Sequence, residues 1–185
     1  MKKILASVLI FMLIFTLFGC KQVKDKVEEI KGQMEPDREK IEDTRGILDK
    51  VLKHIADTDP ELSFKDGTLL DSELGVPHFD VVPISEIKHF NKKDVVDGFI
   101  VRPVVDVDNP KLLIVVEAVD KSASESLKKA MAKVHSDQYE KFKDAGIMTR
   151  YLVSNNKTVR QGNFLIYVTW EDTQDIVKVF ERHVR

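Results

Sequence analysis

The sequence predicts an α+β protein: a two-layer sandwich with a mostly antiparallel sheet and packed helices, preceded by a signal peptide and a helical tether. Three observations lead there. The C-terminal half holds two apolar runs rich in β-branched residues, 98–105 (GFIVRPVV) and 112–119 (LLIVVEAV), joined by turn chemistry. Strands come in pairs, with helices between and after the pairs, which favours segregated elements over a parallel βαβ series. The first twenty residues combine a positive start, an uncharged apolar run and a terminal Cys.

Composition fits one globular domain with chain left over for a tether: 185 residues, 43% hydrophobic and 32% charged. A single Cys excludes a disulfide scaffold. A net charge of −2 argues against a basic nucleic-acid-binding surface, so no nucleic-acid partner is expected.

Lys2 and Lys3 form the positive start, and residues 4–18 carry no charge. That run is shorter than the roughly 20 apolar residues of a spanning helix and suits a signal-peptide core. It ends Leu17-Phe18-Gly19-Cys20. This resembles the lipobox of bacterial lipoproteins, although Phe18 is larger than the residue usual at that position. The resemblance implies that residues 1–19 are removed and that Cys20 carries a diacylglyceryl group, making the membrane a partner through its lipid. A free thiol after an ordinary signal anchor is the alternative. Residues 20–37 are the lipidated Cys and tether. Val23, Val27, Ile30 and Met34 recur there at helical spacing, which also fits a partner-binding arm. Residues 38–185 are read as a single α+β domain.

Within 36–59 a helix is expected. Pro36 suits its first turn, Gly46 weakens its middle, and Ile41, Leu48, Val51, Leu52 and Ile55 form one face. Asp59-Pro60 stops it. Residues 60–92 read as irregular, with one short strand near 79–82. Pro103 marks the strand at 98–105 as an edge strand or a bulge. After the strand at 112–119, Ser122 opens a helix with a capping box to Glu125. Its stripe is Leu127, Met131, Val134, Gln138 and Phe142, and Gly146 is its C′ residue. A strand is expected at 151–154, a turn at Asn155-Asn156, and a strand at 163–170. The last helix starts at Glu171-Asp172 and turns Ile176, Val177, Phe180 and Val184 inward.

The stretch LLIVVEAVDKSASESLKKAMAKVHSDQYEKFKD leads an apolar strand into a long charged helix. It is followed by Val159-Arg160-Gln161-Gly162-Asn163-Phe164 and a final strand and helix. From residue 98 to 185 this resembles DUF4358, a domain of small lipoproteins of Gram-positive bacteria. The resemblance implies an α+β fold and a lipid-anchored position on the extracytoplasmic face of the cell membrane. The family's function is unknown, so it implies no active site.

The residues themselves offer little chemistry. His54, His78, His89, His135 and His183 include no i, i+4 pair. His54 with Asp57 falls short of the three or four ligands zinc needs. Asp106, Asp108 and Asn109 read as a polar hairpin turn, because Pro110 and Lys111 follow where a calcium loop requires glycine. No Gly-x-Ser-x-Gly elbow surrounds Ser85 or Ser154. Glu117 is the unusual carboxylate, inside an apolar strand, with Arg102 as its candidate partner. Trp170 shares a face with Phe164, opposite Tyr167, and is either a rim aromatic or a stacking surface. No catalytic residue, metal or cofactor is assigned. The expected function is a lipid-anchored, non-catalytic module that binds an envelope protein or component. The alternative is a carrier for a small apolar or glycan ligand, held between sheet and helices. An enzyme using scattered carboxylates such as Glu117 is the third reading.

Overall fold

The structure, a computed structural model, describes residues 43–84, 88–104 and 108–184. Cys20, the signal segment, the tether and Asp106 lie outside the described residues.

Helix α1 spans Thr44–Thr58, and residues 36–42 of the expected helix lie outside the described residues. Asp43 has an extended backbone, and its carboxylate accepts the Gly46 N–H at 2.6 Å. That closes one of the free donors of a helix start. Gly46 therefore sits in the first turn and serves the cap rather than weakening the middle. The helix ends at Asp59 as expected, with its N–H bonded to the Ile55 carbonyl.

Residues 62–83 hold three strands where one was expected: β1 (Leu62–Lys65), β2 (Thr68–Asp71) and β3 (Pro77–Pro83). Asp66 and Gly67 join the first two with φ of 51° and 80°. Positive φ at both central residues belongs to the type I′ turn, whose twist matches a hairpin. A 3₁₀ turn at Lys92–Asp94 leads into β4 (Val95–Pro103), followed by β5 (Leu112–Ala118). Strand β4 lies inside the sheet, between β3 and β5. Pro103 is its last residue, opposite Phe79, and the register shift falls at Val95/Asp97 instead. Pro103 thus marks neither an edge nor a bulge.

Helix α2 (Lys121–Phe142) is capped by Asp120, whose carboxylate accepts the Ala123 N–H at 2.7 Å. The expected Ser122 cap loses to this charge-assisted bond. Gly146 is not a C′ residue. It precedes helix α3 (Ile147–Ser154), which replaces the strand expected at 151–154. Strands β6 (Lys157–Gln161) and β7 (Phe164–Thr169) form a hairpin turned at Gly162, where φ is 59°. Helix α4 (Thr173–His183) closes the fold.

Among the described residues, seven strands form one antiparallel sheet in the order β1-β2-β3-β4-β5-β7-β6. Among the described residues this is an α+β fold with four helices on an antiparallel sheet. The helices occupy two layers rather than one. On one face, Leu48, Leu52, Ile176 and Phe180 of α1 and α4 cover Val101, Leu113, Val115, Ile166 and Val168. On the other, Leu127, Met131 and Val134 of α2 cover Ile100, Ile114, Val116, Leu165 and Tyr167. Every residue of β7 is buried. A strand apolar on both faces needs cover on both sides, which is why one helical layer does not suffice.

Candidate functional site

Four of the exposed large apolar side chains among the described residues cluster where α2 passes into α3. Phe142, the last residue of α2, is buried, while Tyr139 one turn earlier is exposed. The chain then turns through 143–146 and starts α3, of which only Val153 is buried. Ile147 is 75% exposed, Met148 69%, Tyr151 59% and Tyr139 53%. A groove of about 340 Å³ runs between the helices, lined by Tyr139, Phe142, Lys143, Ile147, Arg150 and Tyr151. Lys143 pairs with Glu140 at 3.1 Å, and Lys141 lies 4.8 Å from the Phe142 ring centre. Clustered exposed apolar side chains in a soluble fold mark an interaction surface more often than scattered ones do. Sequence reasoning missed this corner because a strand at 151–154 would have sent Tyr151 to the sheet. The spacing of Ile147, Met148 and Tyr151 fits one helical face and could have found it.

Glu117 sits on the α1 face of β5, directly opposite Asp97 of β4. Burial raises its pKa, the Asp97 and Asp43 carboxylates add to the rise, and the Thr44 hydroxyl opposes it. The expected partner Arg102 lies five residues further along β4 and faces Asp80, at 3.5 Å. The arrangement makes protonation of Glu117 easier than that of a free glutamate. Among the described residues, no three His, Cys, Asp or Glu side chains are placed to hold a metal ion.

The histidines are dispersed. His78 approaches Asp71 at 3.4 Å, and His89 meets Asp137 of α2 at 2.6 Å. That hydrogen bond, with the charges of His89 and Lys88, lowers the Asp137 pKa. Asn109 accepts the Lys111 N–H at 2.9 Å, as a polar turn requires. Trp170 is 3% exposed, with its ring centre 4.8 Å from that of Phe79 and the Lys111 ammonium 5.2 Å away. It is a rim aromatic of the core, not an open stacking surface.

Gln138 interrupts the apolar stripe of α2 for a reason the sequence did not disclose. Its amide oxygen accepts the Tyr167 hydroxyl at 2.5 Å, and its amide nitrogen donates to the Pro110 carbonyl at 2.9 Å. Thr169 donates to the Tyr167 oxygen at 3.0 Å. Burial pushes the Tyr167 pKa up to about 12. This network ties α2 to the sheet and to the β4–β5 connection.

Residues 82–169 match DUF4358, a domain of unknown function. The DUF4358 match starts in the last two residues of β3 and ends with β7, so it begins before residue 98 and stops short of α4. The core cluster on the α2 face lies wholly within it. Helices α1 and α4, which cover the other face, lie outside it. The α2–α3 corner, Glu117 and Asp97 are inside. Neither the curated proteins nor the solved structures gave a match.

Proposed function

We propose that this protein is a lipid-anchored, extracytoplasmic binding module of a bacterial cell envelope, held by acyl chains on Cys20 and working without catalysis. The observation that carries the binding role is the α2–α3 corner, where the exposed Tyr139, Ile147 and Tyr151 border a groove inside the DUF4358 match and Met148 lies exposed beside Ile147. The anchor rests on Lys2, Lys3, the apolar run and the Leu17-Phe18-Gly19-Cys20 step. Two acyl chains supply the two membrane signals that stable attachment needs.

The anchor is tested by Cys20→Ser. The expected result is an uncleaved precursor or loss of the protein from the membrane, read by intact mass and detergent-phase partitioning. A variant of unchanged mature size and partitioning overturns it. The second reading, a carrier, draws on the volume of the groove, which is large enough for a small apolar ligand. A small molecule retained in native mass spectrometry, and lost on Tyr151→Ala, would favour it.

A further inference from the structure

We propose that the α2–α3 corner docks on the anionic lipid surface, with Ile147 and Met148 entering the boundary between headgroups and acyl chains. The inference rests on the anchored reading for its proximity to lipid.

Ile147 and Met148 open α3 and are its most exposed apolar side chains, and Tyr139 and Tyr151 flank them. Apolar side chains at a protruding turn with tyrosines beside them suit a bilayer interface, where amphipathic rings settle at headgroup level. The charge is complementary. Residues 121–154 carry seven Lys and Arg against four Asp and Glu, a net +3 in a chain whose total is −2. The rest of the chain is therefore −5, so the basic segment would orient the domain towards anionic lipid. Arg150 is exposed one turn into α3, and among the described residues no carboxylate pairs with it. The first turn of α3 adds to this without carrying it. It contains no acidic residue, and Gly146 provides no side-chain cap. Its first-turn N–H groups carry partial positive charge.

Asp43 lies 23 residues after Cys20, and attachment at Cys20 makes the encounter with the bilayer intramolecular. A rigid protein partner would need a pocket for the protruding Ile147 and Met148 together with a ridge for the groove. A fluid lipid surface meets both.

The test uses the full lipidated chain reconstituted in phosphatidylcholine vesicles with and without phosphatidylglycerol. Lipidated Cys20 has no free thiol, so Thr149→Cys and Lys53→Cys each offer one labelling site, on α3 and on the far helix α1. Fluorescence quenching by nitroxide lipids reads depth. The expected result is at least about twofold stronger quenching at 149 than at 53 in phosphatidylglycerol vesicles, lost in Ile147→Asp/Arg150→Glu at unchanged Tm. Equal quenching at both positions on vesicle-bound protein overturns the docking and leaves the anchor standing. Failure of the chain to stay with vesicles overturns the anchor. The same labels are then read after adding vesicles to free protein, where absence of quenching overturns the docking as well. A label at 149 shielded from water but unreached by nitroxide lipids assigns the face to a second copy of this chain and also overturns the proposal.

Discussion

Gln138→Leu is the substitution that best tests how the segment matching DUF4358 is held together. Leucine keeps the volume and helix propensity of α2 and removes only the amide. The Pro110 carbonyl loses its donor, and the Tyr167 hydroxyl loses its acceptor at 2.5 Å. Thr169 lies 3.0 Å from that hydroxyl and can reverse its own bond to accept from it. The uncompensated loss is therefore mainly at Pro110, itself buried. One unsatisfied buried group costs about 1–3 kcal/mol. For a domain of this size that lowers Tm by roughly 3–10 °C. Tyr167→Phe removes the hydroxyl instead and costs about 1 kcal/mol, since Thr169 also lies 3.2 Å from the Gln138 oxygen. The double variant should cost less than the sum by about 0.5–2 kcal/mol. Urea unfolding followed by Trp170 fluorescence measures all three, because Trp170 is the only Trp and is buried. Single effects that add to within about 0.5 kcal/mol would refute a coupled network. A Gln138→Leu variant as stable as wild type would refute the Pro110 bond.

Two further outcomes follow from packing and charge. A methyl group at Gly98 would lie 2.8 Å from Ile84 Cγ2 and 3.0 Å from Val116 Cγ2. Both neighbours are buried, so Gly98→Ala should cost about 1–3 kcal/mol of stability. The cost should shrink in an Ile84→Ala background, and an unshifted Tm in the wild-type background would show that β4 yields freely. The raised pKa of Glu117 means that the folded state holds its proton more tightly than the unfolded chain. Its contribution to stability is complete below the unfolded carboxylate pKa and is lost as pH rises through the folded value. Glu117→Gln should therefore gain on wild type between pH 4 and pH 8 in a thermal series, and a constant difference across that range would contradict the assigned burial and repulsion.

The parts of the fold legible in the sequence were those where one signal dominates. Strands β5 and β7 stand out because they are apolar on both faces, and the alternation of Phe164, Tyr167 and Trp170 correctly divided the two cores. Asp59-Pro60 ended α1 because backbone geometry leaves little choice there. The errors fell where two local signals compete. Asp66-Gly67 is a strong hairpin turn, but its strands are four residues each and too short to show alternation. Residues 151–154 are a short apolar run, whose period cannot separate strand from helix. Gly146 fits a helix end as readily as a helix start, and the contact that decides is Phe142 folding into the core before it. Gln138 reads in sequence only as a member of the helical stripe, because its partners lie about 30 residues away.

The boundary of the DUF4358 match separates two kinds of surface. Within 82–169, Val101, Leu113, Val115, Ile166 and Val168 point to the face that α1 and α4 cover from outside the match. All five are fully buried, so removing those helices would bare one side of the sheet. At about 25 cal/mol per Å² of apolar surface, no fold of this size tolerates such exposure without a substitute cover. The folding unit is thus larger than the matched segment, and α1 and α4 act as its lid on one side. The opposite side needs no outside help, since α2 and its core come from within the match. Leu74 and Val96 also stay exposed among the described residues, but the α2–α3 corner clusters four such side chains. Burial in this fold cannot account for Ile147 and Met148, so an explanation for them must come from what the corner meets.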